Sequence, residues 1–206
     1  MTKLKLLAAG GALVLGACSS ASSHDMGSMA SPPPTTSAAP SSTSAATPAS
    51  GPHNDADVTF ASMMRPHHNE AIEMSNLLLA KNGIDPKVTA LARKVKAEQG
   101  PEVTQMTGWL TGWGTNPSPS SMGDMDGTDH SDGTMTPADM DALKLATGAK
   151  ATRLFLDGMI KHHNAAVAMA GTEVESGQNP DAEKLAQTII SAQKAEIVEM
   201  NRLGGS

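Results

Sequence analysis

Two histidine pairs are the residues of this chain best suited to metal chemistry. His67 and His68 are adjacent, and His162 and His163 form a second pair 95 residues later. A methionine stands three residues before the first histidine of each pair. Thioether sulfur favours soft Cu(I), and imidazole nitrogen accepts both Cu(I) and Cu(II). The pattern therefore points to copper, with Cu(I) favoured.

The histidine pairs belong to an internal repeat. The segment Phe60–Met74 aligns without gaps with Phe155–Met169. A second pattern, Gln-x-x-Glu-(Val/Ile)-x-x-Met, follows each segment and begins at Gln99 and at Gln193. Self-similarity at a fixed period marks a duplicated structural unit. The chain is therefore predicted to be a duplicated helical hairpin.

Helical geometry predicts which of these side chains meet. Spacings of four and three residues place His67 and His162 on apolar stripes, so both are expected to point inward. The next residue on a helix is rotated by about 100°, which puts His68 and His163 at the edge of the stripe. Each hairpin is then expected to present Met, His, Glu and Met to a shared interior.

A structural role competes with metal binding at every one of these positions. Methionine commonly fills irregular core gaps, and a single inward histidine is usually a core residue with satisfied hydrogen bonds. Burying several imidazoles and carboxylates in a small core is costly unless they are bonded to each other or to a metal. The repetition of the whole pattern therefore favours a metal site, whereas a single copy would not.

The residue three positions before the first histidine of each pair distinguishes this pattern from the di-iron carboxylate bundles. Those proteins use Glu-x-x-His motifs, whereas this chain has Met64 and Met159 in place of the glutamate. The exchange disfavours oxygen-activating iron. Glu102 and Glu196 are predicted to be ligands or hydrogen-bond partners that orient the imidazoles. Glu70 and Glu73 have alanine at the equivalent positions and are assigned no role.

The predicted elements are all helical. Hairpin 1 spans residues 55–113 and hairpin 2 spans 137–203, with turns at Asn82-Gly83 and at Gly177–Pro180. No alternating strand pattern occurs. The linker at 114–136 carries four Asp without Lys or Arg. Its Met and His residues, and those at positions 24–29, resemble segments of bacterial copper-resistance proteins and are predicted to be weaker copper sites.

The N-terminus predicts export. Lys3 and Lys5 precede an apolar run, and small residues lead to Cys18, as in the lipobox of bacterial lipoproteins. The resemblance implies a signal peptide at residues 1–17, a lipid on Cys18, and tethering to the extracytoplasmic face of the cell envelope. An ordinary signal peptide with a chance cysteine is the alternative. Residues 18–54, rich in Ser, Ala, Pro and Thr, are predicted to be a disordered stalk.

Composition excludes several functions. The net charge is −6, from 15 Lys and Arg against 21 Asp and Glu, which argues against a nucleic-acid partner. A single cysteine cannot form an internal disulfide or a cysteine-rich zinc site.

Both copies of Phe-x-x-x-Met-x-x-His-His-x-x-Ala-(Ile/Val)-x-Met resemble the bacterial family called domain of unknown function 305 (DUF305). The resemblance covers residues 55–203 and implies a ferritin-like four-helix bundle, often exported, with copper binding in some members. Pro66 fits the family pattern, whereas Lys161 replaces proline in the second copy. The resemblance maps the motif positions, which are the candidate metal ligands, onto Met64, His67, His68, Met74, Glu102, Met106, Met159, His162, His163, Met169, Glu196 and Met200.

The leading hypothesis is a lipid-anchored protein that sequesters or transfers copper without catalysis. One alternative is a metal-dependent oxidoreductase with Glu102 and Glu196 as ligands. The other is a metal-free interaction module whose Met and His residues form a structural core. The sequence leaves open whether a second copy of the chain or a copper-exchange protein is a partner.

Overall fold

A computed structural model of the chain describes residues 51–115 and 133–204. This part contains five α-helices and no strand, which confirms the all-α prediction. The predicted signal peptide, Cys18, nearly all of the stalk and most of the linker lie outside the described residues. The helices are α1 (Asp55–Leu79), α2 (Pro86–Gly112), α3 (Pro137–Leu145), α4 (Gly148–Ser176) and α5 (Pro180–Gly204).

Local sequence explains where the first hairpin begins and turns. Asn54 caps α1, and its side chain and that of Asp57 form a capping box. Gly83 adopts a left-handed φ of 74° in the turn after α1. Asp85 then accepts the Lys87 N–H at the start of α2, with proline at the first helical position. The first hairpin is thus formed by α1 and α2.

The second block contains a helix that the sequence did not predict. The described residues form five helices instead of the predicted four, because Thr136 and Asp139 form a capping box that starts the nine-residue helix α3. Its Leu143 is buried in the core. Nine residues are too few to show a helical hydrophobic period, so the periodic pattern missed this element. The hairpin proper is formed by α4 and α5.

The central helices α1 and α4 connect the two hairpins. α1 packs on α2, α4 packs on α5, and α1 packs on α4, whereas α2 and α5 make little contact. Asn54 at the start of α1 donates to the Ser176 carbonyl at the end of α4, so these two helices run antiparallel. Helix α1 continues through Pro66 without a break.

Two apolar clusters fill the interior. The Trp109 cluster contains Phe60, Met64, Met106 and Trp109. The Phe155 cluster includes Leu78, Leu91, Leu143 and Phe155 among its members. Within residues 51–115 and 133–204, none of the helices combines the length and hydropathy required to span a bilayer.

Candidate metal centre

The inward histidines of the two repeats meet at the contact between α1 and α4. The ring centroids of His67 and His162 lie 3.5 Å apart, with 32° between the ring planes. Nε2 of His162 also lies 2.8 Å from the backbone carbonyl oxygen of His67. Both side chains are buried, as the helical stripe predicts. The two repeats are thus joined through their histidines.

The second histidine of each pair, predicted to lie at the edge of the stripe, is buried and contacts the second helix of its own hairpin. Nε2 of His68 is 2.8 Å from a Glu102 oxygen, and Nε2 of His163 is 2.7 Å from a Glu196 oxygen. The rotation of about 100° turns these residues away from the partner hairpin and toward the second helix of their own hairpin. In a bundle both of those faces are covered. We name these contacts the two His–Glu pairs.

Together, His67, His68, His162 and His163 form a layer across the middle of the bundle, which we call the histidine layer. The ring centroids of His162 and His163 are 6.2 Å apart. Burial, together with the neighbouring imidazoles of His67 and His163, holds the pKa of His162 well below its usual value. His162 is therefore neutral at physiological pH, which is the form that binds metal.

The hydrogen bonds leave a specific nitrogen of each ring available. A backbone carbonyl only accepts, so Nε2–H of His162 donates to His67 and Nδ1 of the neutral ring carries the lone pair. Nδ1 of His68, His162 and His163 is in each case buried without a hydrogen-bond partner. Unpartnered buried ring nitrogens are costly, and ligation of a metal would satisfy them.

The two glutamates differ in their surroundings. The side chain of Glu102 is 16% exposed, whereas that of Glu196 is 2% exposed. Burial alone would raise the pKa of Glu196, but the hydrogen bond from His163 and the charges of His163 and Lys94 lower it. The Lys94 Nζ lies 3.4 Å from Oε1 of Glu196. Glu196 is therefore an ionised, doubly paired carboxylate.

The candidate methionines are divided between the two apolar clusters. Met64 and Met106 are buried in the Trp109 cluster, with Met169 partly buried against it. The other three, Met74, Met159 and Met200, are buried in the Phe155 cluster. Because α1 and α4 run antiparallel, the methionine that precedes one histidine pair lies level with the residues that follow the other pair. The shared interior expected from the sequence thus contains two apolar clusters, with candidate methionines in both.

No preformed nitrogen and oxygen site exists in the described part of the chain. There, no three or more His, Cys, Asp or Glu side chains are gathered closely enough to hold a metal ion. Two ring nitrogens of the histidine layer are engaged with glutamates and one with a carbonyl. The donor set of imidazole and thioether groups nevertheless fits a soft metal ion by its chemistry.

Sequence reasoning gave no role to several residues beside the histidine layer. The side-chain amides of Gln99 and Gln193 are buried at equivalent positions and have no hydrogen-bond partner. Gln99 and Gln193 could have been identified from the sequence, because each is the first residue of the second repeated pattern. Lys94 was missed because its contact with α5 depends on tertiary packing. Glu70, set aside from the sequence, accepts the backbone N–H of Met135.

The family comparison agrees with the sequence motif. The family described as domain of unknown function (DUF305) matches residues 57–204. This confirms the resemblance read from the repeated histidine motif. Among curated proteins, none matches the chain.

Solved structures of similar proteins share this architecture. A DUF305 fragment from Deinococcus radiodurans is 28% identical, with a TM-score of 0.65, and the match covers 75% of this chain and 99% of that one. A DUF305 protein from Streptomyces coelicolor is 30% identical, with a TM-score of 0.63 and coverage of 72% and 89%. CopM in its Cu(II)-bound form is 34% identical, with a TM-score of 0.62 and coverage of 72% and 95%. CopM is also known in Cu(I)-bound, silver-bound and apo forms.

Proposed function

This chain belongs to the DUF305 family, and we propose that it is an extracytoplasmic copper-binding protein that sequesters copper or passes it to a partner. The similarity to CopM, which binds Cu(I), Cu(II) and silver, supports a soft metal as the ligand. Within this chain, the histidine layer is the feature that supports copper binding.

The unpartnered ring nitrogens carry the proposal. Nδ1 of His68, His162 and His163 is buried and lacks a hydrogen bond, while the opposite nitrogen of each ring is held by a glutamate or a carbonyl. In proteins that bind metals, a ligating histidine usually donates its other N–H to such a group. Each of these three rings thus has an orienting partner at Nε2 and an unpartnered nitrogen at Nδ1.

Copper binding on this layer requires side chains to move. The described residues hold no preformed group of three His, Cys, Asp or Glu ligands, so the rings must rotate to bind copper. Long and flexible methionines lie in the clusters on both sides of the layer and can follow such a movement. Thioether ligands would favour Cu(I), and the imidazoles alone would also hold Cu(II).

The envelope location rests on the N-terminal residues. Lys3, Lys5 and the apolar run before Cys18 are the parts of a lipoprotein signal, and we propose cleavage at residue 17 and a lipid on Cys18. The stalk at residues 18–54 would then separate the helical region from the membrane surface.

Competition for Cu(I) with a chromophoric chelator tests the proposal. The full chain, purified in detergent, is compared with a variant in which His67, His68, His162 and His163 are all changed to Gln. His53→Gln is the matched control, because His53 stacks on Trp113 outside the histidine layer. We expect the tightest Cu(I) equivalent to be lost only in the four-histidine variant, with helical content unchanged by circular dichroism.

The same samples separate the alternatives. Equal Cu(I) affinity in the four-histidine variant and in the control would refute the copper site in the bundle and leave the methionine-rich segments as ligands. Catalytic consumption of oxygen on adding Cu(I) or Fe(II), beyond one turnover per site, would instead favour the oxidoreductase. A partner captured equally well with and without a chelator would favour the interaction module.

A further inference from the structure

The two His–Glu pairs differ in what lies beside the carboxylate. Lys94 on α2 reaches α5, where its Nζ is 3.4 Å from Oε1 of Glu196. Glu98, one turn along α2, lies 3.8 Å from the same ammonium. The other oxygen of Glu196 accepts from His163. In the His163–Glu196 pair, the Lys94 ammonium therefore already lies beside the glutamate oxygen that does not accept from His163.

The first pair has no equivalent cation at the matching place. In the alignment of α2 with α5, Gln99 is equivalent to Gln193. In the same register, the residue equivalent to Lys94 is Thr188. Thr188 is uncharged and exposed on α5. Glu102 accordingly keeps a side chain that is 16% exposed, against 2% for Glu196. The departure from the repeat at Lys94 thus accompanies a difference in access.

Charge makes this difference matter for a metal cation. Two positive charges within a few ångströms repel, most strongly where water is partly excluded. A cation that approaches Glu196 from outside meets the Lys94 ammonium, whereas a cation that approaches Glu102 meets a partly hydrated carboxylate. Helices α2 and α5 make few contacts with each other, and the Lys94–Glu196 ion pair bridges them.

We infer that Lys94 takes the place beside Glu196 that an incoming cation would occupy, so that copper enters the histidine layer at the His68–Glu102 pair. Lys94 is on this account a positioning residue that sets the order in which the two pairs respond to metal. The inference rests on the proposed function and adds the route of entry, on which that function is silent.

Nitrogen NMR of the histidine side chains tests the order directly. The full chain, labelled with ¹⁵N-histidine and held in detergent without oxygen, receives Cu(I) in substoichiometric steps. Single His→Gln variants assign the ring resonances. We expect the His68 ring signals to change at lower Cu(I) than those of His163.

Exchanging the cation between the repeats provides the decisive variants. Lys94→Thr should bring the His163 response to the same Cu(I) level as that of His68. Lys94→Thr combined with Thr188→Lys should reverse the order. Lys94→Arg should keep the wild-type order, because it retains the charge. Lys184→Thr, which removes a lysine exposed on α5, is the control and should also keep it.

The outcomes separate this inference from the proposed function. A His163 response that comes first or together with His68 in the wild type overturns the role of Lys94 and leaves the copper site standing. An order unaffected by Lys94→Thr does the same. If no histidine of the layer responds to Cu(I), the copper site itself is overturned, and the entry route with it. Circular dichroism of every variant checks folding, and the 43% exposure of Lys94 favours tolerance.

Discussion

The buried His–Glu pairs are the residues whose chemistry matters most. In each pair a carboxylate accepts from Nε2 of a fully buried imidazole, at 2.8 Å for Glu102 and 2.7 Å for Glu196. Such a bond fixes the ring orientation, and in the neutral imidazole it places the proton on Nε2 and the lone pair on Nδ1. The glutamates are thus orienting groups for the imidazoles.

Glu102→Gln tests this orienting role. The amide can still contact the imidazole, but it lacks the negative charge that favours Nε2–H and strengthens the ring as a ligand. We expect Cu(I) affinity, measured by chelator competition, to fall by about 10- to 100-fold. Glu175→Gln, an exposed substitution on α4, should leave the affinity unchanged. Equal affinities in both variants would show that Glu102 only fills space.

The edge positions predicted for His68 and His163 show what a single helix cannot reveal. Periodicity within one helix identifies one apolar stripe, and the stripe of α1 correctly contained His67. A helix in a bundle contacts two neighbours, so residues beside the stripe are also buried. Which glutamate His68 meets depends on the packing of α1 against α2, and the repeated Glu102 and Glu196 were the available signal.

A pair of carboxyl side chains, Asp57 and Glu173, connects the start of α1 with the turn between α4 and α5. Asp57 accepts the N–H groups of Gln178 and Asn179 and lies beside the buried Glu173. A Cβ on Gly177 would stand 2.7 Å from the backbone carbonyl oxygen of Glu173, so the turn requires glycine there. The pair therefore connects hairpin 1 with hairpin 2 at one end of the bundle.

The pKa values of Asp57 and Glu173 are shifted in opposite directions. Burial raises the pKa of Asp57, but backbone N–H groups of Asn54, Asn179 and Gln178 outweigh it and lower the pKa. Burial, with the hydrogen bond and charge of Asp57, raises the pKa of Glu173 to about 8. A neutral Glu173 beside an ionised Asp57 is the stable arrangement. It stabilises the fold fully below the unfolded pKa of 4.5 and is lost as pH rises through about 8.

Glu173→Gln is expected to remove this pH dependence. Glutamine reproduces the neutral acid and its donor, so the unfolding free energy of the variant should stay nearly level where that of the wild type falls. By pH 8 the wild type should have lost roughly 2–4 kcal/mol relative to the variant. Urea unfolding at a series of pH values measures the difference, with Glu175→Gln as control. If the unfolding free energies of the wild type and Glu173→Gln changed in parallel with pH, the arrangement of a neutral Glu173 beside an ionised Asp57 would be contradicted.

Element boundaries were predictable where the sequence carries strong local signals. The turn at Gly83, the cap at Asp85 and the proline after it fix the first hairpin, and the structure follows them. Helix α3 was missed because its signals are the capping box at Thr136 and one buried leucine. Whether such a short helix forms depends on where Leu143 can be buried, and that depends on the tertiary packing.

For the whole molecule, the repeat carries most of the information. Duplication predicted two hairpins, and the antiparallel contact of α1 with α4 brings equivalent residues, His67 and His162, face to face. The same geometry divides the methionines between two clusters, which the sequence alone did not indicate. Departures from the repeat, such as Lys94, became interpretable only when the structure showed which surfaces meet.

Histidines of both hairpins are proposed to bind copper in the histidine layer. Copper ligands in both hairpins would explain why both repeats retain the His-His motif. Methionines from the Trp109 and Phe155 clusters would then complete the coordination on the two sides of the layer.

X-ray absorption at the copper edge, measured on the full chain loaded with one equivalent of Cu(I), identifies the atoms that bind the metal. We expect imidazole scattering from more than one ring together with sulfur. Replacing His67 and His68 by Gln, or His162 and His163 by Gln, should each reduce the imidazole contribution. A coordination shell of sulfur alone, identical in the wild type and in both variants, would contradict copper binding by the histidine layer.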